Sequence, residues 1–162
     1  MITPIEIWSG GQTGVDRAAL EFALAHGLPH GGWCPRGRRA EDGVIPERYR
    51  LRETATDAYA ERTRLNVRDT DATVIFAPGR LLSGGTGLTR EFACELGRPA
   101  LVITARSDVL GAAARLRSFL RRHRVRRLNV AGPRVFEAPE LPRFVLAVLE
   151  RALAGVAAWR TE

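Results

Sequence analysis

Short runs of apolar and β-branched residues alternate along this chain with longer stretches whose apolar positions recur about every three to four residues. Residues 5–9 predict a strand. Residues 15–26 predict a helix with Val15, Ala18, Ala19, Phe22 and Ala23 on one face, and Gly27 stands where a C′ glycine ends such a helix. Residues 31–34 predict a short second strand. Residues 35–56 have little periodicity, many arginines and two prolines; a loop that long is expected to be functional, a lid for instance. Thr56 or Asp57 can cap a helix running to about Arg68. The unbroken apolar run at residues 72–77 predicts a central parallel strand. A helix over 89–96, a buried strand over 100–104 and a helix from an Asp108 cap to about His123 follow. A strand over 128–130 and an amphipathic helix over 142–157 complete the series. This alternation predicts a doubly wound α/β fold in one domain spanning residues 1–162, with a mostly parallel sheet of about five strands.

Three of these strands run into glycine-bearing segments. The first leads to Ser9, Gly10, Gly11, Gln12, Thr13 and Gly14. The central strand leads, after a short excursion, to Ser83, Gly84, Gly85, Thr86 and Gly87. The last leads through Asn129 to Ala131, Gly132, Pro133 and Arg134. In an open parallel sheet, loops leaving the carboxyl ends of strands share one edge, where ligands bind. Glycine permits close backbone approach, and a helix start offers free N–H groups and a positive dipole end. The pattern predicts a cavity for a phosphate-bearing small molecule. The alternative is a set of tight turns in which glycine serves only the backbone.

Charge sharpens the chemistry. The net charge is +7, and all 25 basic residues are arginine. A chain without lysine has no Schiff-base lysine, no P-loop lysine and no lysine general base. Anions must be held by arginine forks, backbone N–H groups and hydroxyls. Arg36, Arg38 and Arg39 follow the second strand and form either a clamp for a charged ligand or a solvated basic loop. The arginines between 115 and 127 fit a solvated helix face and its exit turn. No recognition-helix motif or interleaved aromatics accompany them, so no nucleic-acid partner is expected. Cys34 and Cys94 have no CxxC spacing, and the three histidines show no metal-ligand spacing, so no metal site is expected. Cys34 reads as a small buried hydrophobe. No apolar run is long enough for a membrane span, and no secretory signal is visible, so a cytoplasmic location is expected.

The stretches 9–20, 31–43, 66–73 and 128–134 together resemble the molybdenum (molybdopterin) cofactor carrier proteins, over nearly the whole chain. That resemblance implies a single-domain Rossmann-like three-layer sandwich and a homo-oligomer, dimer or tetramer. It implies binding of the molybdenum cofactor, with molybdoenzymes as clients. Gly10, Gly11, Gln12, Thr13, Gly14, Arg36, Arg38, Arg39, Ser83, Gly84, Gly85, Thr86, Gly87, Asn129 and Gly132 are the binding residues expected. The run Glu61-Arg62, Asp71-Ala72 and Ser83 to Glu91 is also similar to the PGGxGTxxE region of lysine-decarboxylase-like proteins, which include nucleoside-monophosphate phosphoribohydrolases. That comparison puts Arg62 and Glu91 on the catalytic arginine and glutamate, with a nucleotide monophosphate as ligand. Ser83 replaces the motif's proline and Leu88 its threonine, which tells against hydrolysis. A nucleotide-sensing module without chemistry is the third reading.

Overall fold

The computed structural model describes residues 4–153. In chain order its elements are β1 (Glu6–Trp8), α1 (Val15–Ala25), β2 (His30–Gly31), β3 (Trp33–Cys34), β4 (Arg39–Ala40), β5 (Gly43–Val44) and β6 (Arg52–Glu53). Then come α2 (Tyr59–Arg68), β7 (Ala72–Ala77), α3 (Gly84–Glu95), β8 (Ala100–Thr104), α4 (Val109–Arg122), β9 (Arg127–Ala131) and α5 (Leu141–Leu153). Five strands form one sheet in the order β2-β1-β9-β7-β8, every pairing parallel. This is the Rossmann-like α/β architecture. No helix among the described residues is long and apolar enough to cross a membrane.

Strand periodicity divides the sheet's two faces. Ala72, Val74 and Phe76 of β7 join Leu128, Val130 and Ile103 in a core closed by the apolar stripes of α1, α4 and α5. The intervening Thr73 and Ile75, equally buried, belong to the opposite face, which α2 and α3 cover. That face carries polar groups at its centre, where the buried Asn129 amide donates to Thr73 Oγ1 at 3.2 Å.

The helix ends follow local chemistry. At the end of α1, Leu28 N–H donates to Ala23 O at 2.8 Å and Gly27 N–H to Leu24 O at 3.3 Å, the Schellman pattern, with Gly27 at φ 62°. The same pattern ends α4, with Arg124 rather than glycine at φ 50°. The Asp108 carboxylate caps α4 by accepting from Gly111 N–H.

Five sequence expectations need correction. Neither Thr56 nor Asp57 caps α2, whose N-cap is Ala58 with no side-chain cap. Residues 31–34 are not one strand. At Gly32 the backbone takes φ 143° and passes so close to Ser9 O that a Cβ would lie 1.9 Å from it. His30–Gly31 stay in the main sheet, while Trp33–Cys34 pair with Arg52–Glu53. Residues 35–56 are not structureless: they hold this ribbon and the β4–β5 hairpin, and a small core of Leu20, Cys34, Ile45 and Tyr49 pins them to α1. The helix expected to begin near Thr89 begins at Gly84, so the glycine run is its opening turn. Finally, β8 is an edge strand in which Ile103 alone is fully covered, because it pairs with β7 on one side only. The part of the last expected helix beyond Leu153 lies outside the described residues.

The basic stretch is partly structural. Arg115 donates to Val102 O and Arg117 to Arg151 O. Arg127 pairs with Glu6 at 2.8 Å and lies over the Trp8 ring.

Candidate functional site

Strands β1, β9 and β7 are adjacent and parallel, so the segments that follow them converge at one edge of the sheet. Between them is a cavity of about 270 Å³. Gln12 and Asp16 line it from the first loop and α1. Tyr59, Arg62 and Thr63 line it from α2, and Ser83, Gly84, Gly85, Thr86 and Thr89 from α3. Ala131, Gly132, Pro133, Arg134 and Glu137 line it from the loop after β9. A hollow of about 10 Å³, bordered by Gly10, Asp16, Arg62 and Asn129, lies beneath.

The start of α3 is open and uncapped. Ser83 is extended at φ −131° and ψ 166° and makes no side-chain cap, so the first N–H groups of the helix are not satisfied by it. Gly84, at φ 54°, turns the chain into the helix, and a Cβ on Gly84 or Gly85 would meet nothing within 4 Å. Such a start attracts negative charge.

The start of α1 differs. Gly14 is its N-cap at φ 88°, and a Cβ there would lie 2.6 Å from Pro133 O and 2.7 Å from Val135 N. Val15 N–H donates to that same Pro133 O. Thr13 Oγ1 donates to Glu41 and accepts from Val135 N–H at 3.3 Å. The first glycine loop is therefore closed by the loop after β9. It presents Gln12 to the cavity, not Gly11 or Thr13.

Asp16 and Arg62 form the buried electrostatic centre. Asp16 Oδ2 lies 3.3 Å from Arg62 Nη1 and accepts from Gln12 N–H at 3.2 Å. Their side chains are 4% and 16% exposed. Burial pushes the Asp16 carboxyl above its ordinary value; Arg62 and the N–H groups of Gln12 and Gly10 oppose that shift but do not cancel it. Gly10 leaves room for the guanidinium, since a Cβ there would sit 2.0 Å from Arg62 Nη1. Among the described residues, two buried polar atoms, Gln12 Oε1 and Arg62 Nε, have no hydrogen-bond partner.

The arginine trio is placed elsewhere. Arg38 donates to the carbonyls of Ile45, Pro46, Tyr49 and Leu51, organising that loop. Arg39 pairs with Asp57 at 2.9 Å, and Arg36 is exposed; none of the three lines the cavity. Gly87 sits in the first turn of α3 outside the lining. Glu91 is exposed on α3 and does not line the cavity with Arg62; the carboxylates that do are Asp16 and Glu137. Glu137 accepts from Arg134 N–H at 2.8 Å. Cys34 is fully buried and its thiol is pushed up by desolvation, as a core residue's is. Among the described residues no cluster of His, Cys, Asp or Glu could hold a metal ion. Sequence reasoning missed Tyr59, Thr63 and Glu137. The buried Thr63 and Asn66, one helical turn apart beside Arg62, were the only signal of the α2 wall.

The fold is thus a Rossmann-like sheet with a glycine-lined cavity at the carboxyl edge of its strands. This chain belongs to the circularly permutated YpsA SLOG family, matched over residues 7–153. It is 44% identical to the protein of a crystal structure called "Putative molybdenum carrier protein", from Syntrophus aciditrophicus SB. That match covers 93% of this chain and 96% of the other, with a TM-score of 0.90. A weaker likeness is to (E)-4-hydroxy-3-methyl-but-2-enyl diphosphate reductase, at 13% identity and a TM-score of 0.37, covering 88% of this chain and 59% of that one. No curated protein matches the chain.

Proposed function

We propose that this protein is a carrier that binds an anionic small molecule, the molybdenum cofactor or a related phosphate-bearing ligand, in the cavity at the carboxyl edge of its sheet. The observation that carries this reading is the convergence of three glycine segments and the Asp16–Arg62 pair on one cavity of about 270 Å³. The name of the 44%-identical relative supports it. The residues fit such a cargo. Open space stands before the uncapped start of α3 at Gly84 and Gly85, which suits a phosphate. The Arg62 guanidinium at the cavity wall supplies positive charge. In this reading Ser83, Gly84, Gly85 and Thr86 hold the phosphate. Gly132 forms the floor with Asn129 below it, and Gly10, Gly11, Thr13 and Gly14 support the wall from behind. Arg36, Arg38 and Arg39 act through the loop they build, whose Arg39 O fixes Gln12, rather than as a clamp. The carrier works in the cytoplasm as a homo-oligomer and passes its cargo to molybdoenzymes.

The test is what co-purifies. Protein produced in a host that makes the cofactor is denatured, and the released material is identified by mass spectrometry and fluorescence. Molybdopterin or its oxidation products are expected. Their absence, together with failure of the apo protein to take up added cofactor, overturns the reading.

A further inference from the structure

Strand β8 leaves one side of its backbone open. Thr73 N–H donates to Pro99 O and Ala105 N–H to Ala77 O, which sets the alternation: Leu101 and Ile103 bond to β7. Ala100, Val102 and Thr104 turn their N–H and C=O groups outward, past the end of the sheet. Ser107 N–H donates to Thr104 O at 3.0 Å, and Arg115 Nη2 donates to Val102 O at 3.2 Å. Among the described residues, the three outward N–H groups have no partner. Along this edge, between β8 and α4, lies a groove of about 380 Å³. Leu101 and Phe119 give it apolar surface, and Arg115, Arg122 and His123 border it as basic groups; among the described residues no carboxylate does. None of its residues lines the cavity at the carboxyl edge. From Arg98 to Arg127 the chain has nine arginines and one carboxylate, Asp108, which is spent on the α4 cap.

We propose that this edge is a docking site for an extended acidic segment of a partner protein, which adds to the sheet as a strand beside β8. The edge offers its N–H groups at strand spacing, and an added strand supplies the carbonyls that match them. Side chains on the α4 side of that strand lie in the groove, an apolar one against Leu101 and Phe119 and carboxylates against Arg115 and Arg122. Arg115 makes the edge selective. It covers Val102 O, so a strand that pairs there must displace it. A carboxylate on the incoming strand gives the displaced guanidinium a new acceptor, whereas a neutral strand only loses it one. Charged side chains blunt edge strands against indiscriminate pairing in this way. A second copy of this chain is a poor occupant, because it brings the same arginines against one another. A nucleic acid would meet the arginines but has no carbonyls at strand spacing for the edge.

The probe is a fluorescein-labelled peptide, Thr-Glu-Thr-Val-Thr-Glu-Thr, which as a strand shows glutamate, valine and glutamate on one face and threonine on the other. Saturable binding to the whole protein is expected by fluorescence polarisation, with the glutamine-for-glutamate counterpart at least about ten-fold weaker. Two analogues, methylated on the threonine nitrogens or on the other set, each block one edge of the peptide and keep its charge. One is expected to bind at least about ten-fold more weakly and the other within about three-fold of the parent. Arg122→Glu weakens the glutamate peptide at least about ten-fold, and Arg64→Glu, the same charge change on the exposed surface of α2, leaves it within about two-fold. On binding, hydrogen exchange at the Val102 and Thr104 N–H groups slows in NMR spectra. Equal affinity for the glutamate and glutamine peptides, or no saturable binding, overturns the proposal. So does an equal effect of the two methylated analogues, or an equal loss in the two variants, which would mean attraction by net charge alone. Protection of the Val102 and Thr104 N–H groups in concentrated protein without peptide, lost on dilution, marks self-association at this edge and also overturns it. A single-stranded oligonucleotide of equal charge that binds more tightly than the glutamate peptide does the same. The wild-type comparisons decide the matter even where a variant fails to fold.

Discussion

Replacing Arg62 with methionine is the most informative single perturbation of the site. The guanidinium lies 3.3 Å from Asp16 Oδ2, and at an effective dielectric of about 20 the attraction is about 5 kcal/mol. Desolvation of both groups offsets much of that in the intact pair. Removing one partner exposes the offset, typically costing about 3–5 kcal/mol. Asp16 keeps the N–H groups of Gln12 and Gly10, and Arg62 is 16% exposed, so the lower end applies, about 3 kcal/mol near neutral pH. For a domain of this size that corresponds to a fall in Tm of about 6–12 °C. The effect depends on pH in a fixed direction. Burial places the folded-state pKa of Asp16 above its unfolded value. The stability linked to this group is therefore full below the unfolded value and is lost as pH rises through the folded one. Losing Arg62 lifts the folded value further. The deficit is thus largest at about pH 8 and shrinks toward the ordinary carboxylate range of about pH 4. Urea denaturation of wild type and variant at about pH 8 and about pH 5 measures this directly. Adding Asp16→Asn to Arg62→Met is expected to restore at least about 1 kcal/mol. A deficit below about 1 kcal/mol, or one equal at both pH values, refutes the view that Asp16 is a buried carboxylate sustained by Arg62.

Arg124→Gly is expected to stabilise the fold by about 1 kcal/mol, because it removes a side chain from the left-handed residue that ends α4; thermal melts check this, and a lowered Tm contradicts it. Gly14→Ala is expected to cost at least about 2 kcal/mol in urea melts, since φ 88° is strained for alanine and its Cβ would meet Pro133 O at 2.6 Å. An unchanged midpoint would mean the two loops are not locked together. No adenine is expected from AMP incubated with the protein, and Glu91→Gln is expected to retain cofactor binding, because Glu91 is exposed outside the cavity. Steady adenine release that disappears in Glu91→Gln would make the protein a hydrolase.

The local pattern of this chain carried most of the elements. The buried run at Ala72–Ala77, the Gly27 stop after α1 and the Asp108 cap of α4 are each set by residues within a turn or two of one another, so the sequence shows them directly. The start of α3 was harder, because glycine has low helix propensity and Gly84–Gly87 read as loop, although a first turn tolerates it. The split at Gly32 depends on the approach of Ser9 O, far away in sequence, and has no local signal. Strand order was not legible either. The apolar run of β7 marked an interior strand, but nothing in the runs of β8 and β9 tells them apart, and it is the non-local parallel pairing that inserts β9 between β1 and β7 and leaves β8 at the edge. That insertion decides the site. It brings Gly132 against Val15, closes the first glycine loop, and leaves the α3 start, Gln12 and Arg62 around the cavity. The sequence determined which residue types could hold an anion. Tertiary packing decided which of them still had free hydrogen-bonding atoms, because that depends on which backbone carbonyls and carboxylates folding brings near: Arg38 found four carbonyls and Arg39 found Asp57, while Gln12 kept its oxygen free.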